Sequence, residues 1–100
     1  MIRYDIVLHS PMGPRRGTAE ILDGQTAAVS LLGRRSLLSL FRTEDGACRL
    51  SGMLDSVMGA IPIQADIRVE NGQFRTLAHT GKGEMPLTGT RKEDGVPNGN

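Results

Sequence analysis

The chain has 100 residues, 38% hydrophobic and 23% charged, with a formal net charge of +1. That length suits one domain rather than two, and that balance is neither a disordered nor a membrane-spanning composition. Near-neutrality gives no electrostatic case for nucleic acid or an anionic membrane as partner.

The opening run Met1-Ile2-Arg3-Tyr4-Asp5 carries charge inside its apolar stretch, so it does not read as a signal peptide. No apolar stretch approaches the ~18 residues of a membrane span, and a cytoplasmic location is the expectation. Tyr4, Ile6 and Leu8 alternate with Arg3, Asp5 and His9, with Val7 out of pattern. Pro11-Met12-Gly13-Pro14 then signals a turn, and Gly17, Ala19 and Ile21 alternate with Thr18 and Glu20. Asp23-Gly24 marks a second turn, Val29 and Leu31 flank Ser30, and Gly33 marks a third. Segment 35–41 puts Leu37, Leu38, Leu40 and Phe41 on both faces. A strand or a short helical turn fits it; strand is favoured because its neighbours are strand-like. As a strand it would expose apolar groups that a second subunit could cover.

After the Asp45-Gly46 turn, Leu50, Gly52 and Leu54 alternate with Arg49, Ser51 and Asp55. Met58-Gly59 precedes the clearest pattern, Ile61, Ile63, Ala65, Ile67 and Val69 against Pro62, Gln64, Asp66 and Arg68. Asn71-Gly72 turns the chain again. Phe74, Thr76 and Ala78 oppose Gln73 and Arg75. Beyond Gly81-Lys82-Gly83, Met85, Leu87 and Gly89 oppose Glu84, Thr88 and Thr90. Period-two patterning puts one face on a core and the other in water, and turn signals every ~8–12 residues indicate an all-β sandwich or barrel. With two Phe, one Tyr and no Trp, the core must be aliphatic, with Met filling gaps. Residues 92–100, Lys-Glu-Asp-Gly-Val-Pro-Asn-Gly-Asn, are polar and rich in turn formers; a disordered tail is expected.

A weak repeat relates the two halves. Ser10-Pro-Met-Gly13 returns as Ser56-Val-Met-Gly59, Asp23-Gly24 as Asn71-Gly72, and Gly33 as Gly81. Two four-strand units make eight strands, which can close and so remove exposed sheet edges. The predicted fold is therefore an all-β, eight-stranded antiparallel up-and-down meander closing into a small barrel over residues 1–91.

Ser10-Pro-Met-Gly-Pro14, Leu50-Ser-Gly52, Val57-Met-Gly59 and Met85-Pro-Leu-Thr-Gly-Thr-Arg91 resemble a group of small, uncharacterised bacterial proteins. That group repeats a T-P-M-G…G…S-G pattern and ends in a P-F-T-G-T-R-like strand. The resemblance spans most of residues 4–91 and rests on turn glycines and strand Ser/Thr. The chain departs from it at Leu31-Leu-Gly-Arg-Arg-Ser36, where a glycine-richer hairpin is expected, which leaves the fourth strand least defined. It implies a calycin-like small β-barrel and no established activity.

Catalytic chemistry has few candidates. A nucleophile needs a base within reach, and the two histidines, His9 and His79, read as exposed strand-end residues beside turns. With one Cys and two His, zinc would need carboxylates from distant loops. Cys48 shares the apolar register of Leu50 and reads as buried and inert; a single cysteine excludes an intramolecular disulfide. Gly81-Lys82-Gly83 lacks the spacing of a phosphate loop. Glu44-Asp45 and Glu93-Asp94 read as solvated carboxylates. Arg15-Arg16 and Arg34-Arg35, the two Arg-Arg pairs, read as solvated strand ends. Aromatic platforms for nucleic acid are lacking. No catalytic residue, metal or cofactor is expected, and an enzyme is the least supported reading.

Two readings remain. The first is a binding module for a small apolar ligand. Small inward residues (Gly17, Ala19, Gly52, Ala65, Thr76, Ala78, Gly89) would leave volume inside the barrel, with Tyr4, Phe74, Thr76 and Met85 as ligand-binding residues and Tyr4 and Thr76 as polar handles. Against it, small residues also permit tight bends and close packing. The second is a homodimer or assembly module, using the double apolar face of Leu37–Phe41 and the loop residues Met12 and Met58.

Overall fold

The computed structural model describes residues 2–31 and 33–92. Every element in it is a strand: β1 (Ile2–Ser10), β2 (Gly13–Asp23), β3 (Thr26–Leu31), β4 (Arg34–Arg42), β5 (Cys48–Ser56), β6 (Gly59–Ile67), β7 (Gln73–Thr80) and β8 (Gly83–Lys92). Each pairs antiparallel with its neighbour in sequence, and β1 pairs with β8 to close the barrel. Each strand's apolar period is two, so every second side chain is removed from water once the sheet rolls up. No helix is long and apolar enough to cross a membrane among the described residues.

Segment 35–41 is strand. Ser36, Leu38 and Leu40 are buried while Leu37 and Phe41 stand on the outer face, 63% and 48% exposed. Leu37 pairs with Ala28, which is buried on that same outer face between Leu37 and Glu20. Lys92, assigned to the tail from sequence, belongs to β8; residues 93–100 lie outside those described. Val69 falls beyond the end of β6 and is 45% exposed, so the inward stripe of that strand stops at Ile67.

The repeat is real in one hairpin type. Ser10 Oγ donates to the Gly13 carbonyl at 2.6 Å and Ser56 Oγ to the Gly59 carbonyl at 2.7 Å. Thr80 Oγ1 does the same to Gly83 at 2.6 Å. The three accepting glycines share one conformation, φ 111, 109 and 110°. The other equivalences do not hold. Asn71 and Gly72 both take positive φ, 54 and 75°, as a tight hairpin needs. Gly24 does not, because Asp23 Oδ1 accepts the Gln25 N–H at 2.7 Å and turns the chain by a side-chain bond instead. Gly33 is the second residue of its two-residue loop and Gly81 the first.

Closure requires bends. The β4–β5 ladder stops at Ser39↔Ser51, immediately before Gly52, whose φ of 150° is open to glycine and strained for other residues. Past that kink, buried Ser36 accepts the Asp55 N–H at 2.8 Å. The weakest seam is β6–β7, where the register pairs are Ile63↔Thr80 and Gln64↔His79. Thr76 Oγ1 reaches across beyond them to the Asp66 carbonyl, 2.7 Å away.

The meander puts the β1–β2, β3–β4, β5–β6 and β7–β8 hairpins at one end and the remaining loops at the other. The half of the interior nearer the four hairpins is solid, packed with Leu8, Leu31, Leu38, Leu54, Ile63 and Met85.

Candidate functional site

The other half of the interior is a cavity of about 330 Å³. Small side chains on β2 and β3, Ala19 and Ala27, leave room in it, and Val29, Leu50 and Leu87 add to its apolar lining. Tyr4 and Phe74 form an aromatic wall, edge to face, with ring centroids 5.8 Å apart and planes at 63°. That geometry sets the positive ring edge against the negative face. The mouth lies at the end opposite the four hairpins and is bordered by Ile2, Gly24, Arg42 and Val69.

Arg42 and Cys48 are register partners at this rim, one step beyond the inward pair Leu40↔Leu50. Arg42 therefore stands on the inward side of the sheet where the barrel opens, and it borders the cavity. Its guanidinium is in no ion pair among the described residues. Cys48 lines the cavity as a free thiol and is half-buried rather than fully buried, because β5 begins at the mouth.

Two of the four residues expected to bind a ligand, Tyr4 and Phe74, line the cavity; Thr76 and Met85 do not. Thr76 spends its hydroxyl on the β6–β7 seam, and Met85 fills the solid half at 8% exposure. Arg42 and Cys48 were not anticipated as lining residues. The step from Leu40 to Arg42 was visible in the pattern, but which end of the barrel would be hollow was not. The small inward residues divide likewise. Ala19 opens space, whereas Gly17 and Gly89 have none: a Cβ there would lie 2.1 Å from the Ser30 carbonyl oxygen and 2.1 Å from the Phe74 ring.

Around the mouth, carboxylates are tied to arginines. Arg49 forks onto its cross-strand partner Asp66, Nε to Oδ1 at 2.7 Å and Nη2 to Oδ2 at 3.0 Å, while its guanidinium carbon lies 5.6 Å from the Phe41 ring centroid. The Arg49 hydrogen bond holds the Asp66 carboxyl below the ordinary aspartate value. Asp45 is also lowered, first by the Thr43 hydroxyl, then by the Ala47 N–H, with Arg68 at 2.9 Å adding charge attraction. These bonds pin the β4–β5 loop to the segment after β6 at the rim. The histidines stand on the outside: His9 Nε2 is 3.3 Å from Thr88 Oγ1, and His79 Nδ1 is 2.9 Å from Glu84 Oε2. No group of three His, Cys, Asp or Glu is placed to hold a metal among the described residues.

No family model, curated protein or solved structure matches this chain. The cavity is therefore read from its own geometry.

Proposed function

We propose that the barrel binds a small, largely apolar molecule in its open half, with an anionic group of that molecule facing Arg42. The observation that carries this reading is the one-ended cavity of about 330 Å³ with apolar walls and, at its rim, a cation that is in no ion pair among the described residues. Ligand pockets fall at ~300–1,000 Å³, apolar with a few polar groups that orient the guest. A medium-chain carboxylate matches that volume and polarity. Binding rather than catalysis is the role such a lining supports. A calycin-like assignment and a cytoplasmic setting belong to the same reading, the first supported by the closed eight-strand meander and the second by a free thiol at the rim.

The test is a thermal-shift series of aliphatic carboxylates and the corresponding alcohols, since a ligand selective for the native state raises the melting point. Carboxylates should raise Tm more than alcohols and should shield Cys48 from a thiol reagent. Ala19→Phe should abolish both effects, and Arg42→Ala should erase the preference for the acid. Absence of any shift, or a shift that survives Ala19→Phe, would overturn the reading.

A second reading, self-association, is favoured by the outer face of β4 and β5, where Leu37, Phe41 and Met53 are 63, 48 and 51% exposed. Large exposed apolar patches mark interaction surfaces. Light scattering across a range of concentrations decides it: Leu37→Lys should convert an associating protein to monomer, and a wild-type monomer throughout rejects it.

A further inference from the structure

The end of the barrel opposite the cavity mouth combines two features that the linear sequence keeps apart. The first is apolar. Met12, Met58 and Val57 are 84, 82 and 79% exposed, the three most exposed large hydrophobic side chains among the described residues. All three sit at hairpin tips, Met12 between β1 and β2, Val57 and Met58 between β5 and β6. The second is cationic. Arg15 and Arg16 open β2, Arg34 and Arg35 open β4, and Lys82 tips the β7–β8 hairpin, all of them exposed. Arg16, Arg34 and Arg35 border one shallow depression with Ser30 and Gly33.

Among the described residues five cations thus share this end with two carboxylates, Asp55 and Glu84, and Glu84 is engaged by His79 at 2.9 Å. None of the five cations is in an ion pair among the described residues. The small net charge of the whole chain conceals this asymmetry.

We propose that the four-hairpin end docks on an anionic phospholipid surface. Met12, Val57 and Met58 enter the boundary between headgroups and acyl chains. The arginine depression and Lys82 meet lipid phosphates and carboxylates above them. Apolar tips ringed by Lys and Arg match an interface that is apolar below and anionic above. Nucleic acid would use the same cations, but it gives an exposed Met or Val nothing to enter, and Tyr4, Phe41 and Phe74, the three large aromatic side chains of the sequence, all lie away from this end. The cavity lies at the other end, so this docking surface stands or falls independently of what the cavity holds.

The experiment is co-sedimentation of the full chain with phosphatidylcholine vesicles, with and without one third phosphatidylserine. Binding should require phosphatidylserine and weaken as salt is added, because screening shortens the reach of the cations. Arg34→Ala with Arg35→Ala should lower the partition coefficient roughly thirtyfold. Met12→Ser with Met58→Ser should lower it on the order of tenfold at unchanged charge. These side chains are exposed, so unchanged thermal melting verifies that each variant is folded. Four results overturn the proposal: no binding to phosphatidylserine vesicles, equal binding to neutral ones, equal competition by inorganic phosphate at matched ionic strength, or loss on arginine replacement with none on methionine replacement. The last, joined to salt-dependent retention of single-stranded RNA, would instead assign this end to nucleic acid.

Discussion

Phe74 lies against Gly89, its register partner across the β7–β8 ladder, so closely that a Cβ on Gly89 would stand 2.1 Å from ring atom Cε2 and 2.4 Å from Cζ. Glycine there is a matter of space: the ring occupies the volume that a neighbouring side chain would fill, and covers the backbone it leaves bare. The same ring is a wall of the cavity, so ordering the aromatic wall and closing the β8 side of the barrel are one packing event.

Gly89→Ala should therefore destabilise the barrel by about 1–3 kcal/mol through overpacking. Phe74→Leu in the same chain should recover part of that loss, because the smaller side chain vacates the clash. Urea unfolding of the two single variants and the double variant gives the coupling. Additive losses would show that the ring is not what excludes the methyl group.

Leu54 is among the largest fully buried side chains and belongs to the solid half of the interior. Leu54→Ala should cost about 2–5 kcal/mol, the transfer loss plus the cavity left behind. Ile67 stands at the already hollow end, and Ile67→Val should cost no more than about 0.5–1.5 kcal/mol. A Leu54→Ala loss no larger than that of Ile67→Val would contradict the division of the interior into a solid and an open half.

Ser36 is a buried polar residue, 7% exposed, and its hydroxyl accepts the Asp55 N–H. Ser36→Ala leaves that N–H without its partner beside the Gly52 kink, at a cost of about 1–3 kcal/mol. Amide exchange at Asp55 should accelerate. Unchanged exchange there would mean that the N–H finds another acceptor.

Stability should fall in acid. The carboxyls of Asp66 and Asp45 titrate below their ordinary value in the fold, Asp66 because of the Arg49 hydrogen bond and Asp45 chiefly because of the Thr43 hydroxyl. A carboxyl depressed in the fold adds stability that is complete above its unfolded pKa and disappears as pH drops through its folded one. Stability should thus be level above about pH 5 and decline below about pH 4. Asp66→Asn should lower the plateau and make the acid decline shallower. Urea midpoints measured across this range test it; an unaltered decline in Asp66→Asn would exclude Arg49–Asp66 as a source.

Much of the fold was legible before any coordinates. The alternation through Ile61, Ile63, Ala65 and Ile67 follows from strand geometry alone, since a side chain's face is fixed by its parity. The turns at Gly13, Gly46, Gly59 and Asn71-Gly72 follow from which residues tolerate positive φ. Both are local properties, carried by a few neighbouring residues. The candidate site was half legible: Tyr4 and Phe74 had the right parity, and so did Thr76 and Met85, but parity does not say at what height along the barrel a residue sits.

Height and angular position come from strand stagger and closure, which depend on pairings as distant as Tyr4 with Arg91. That long-range register hollowed one end and filled the other, and turned Thr76 from a ligand handle into a seam bond. The pairing of β2, β3 and β4 gathered Arg16, Arg34 and Arg35 around one depression. Arg16 and Arg34, eighteen residues apart along the chain, become neighbours because the β2–β3 hairpin between them folds back, and the parity of a side chain along its own strand does not contain that fact.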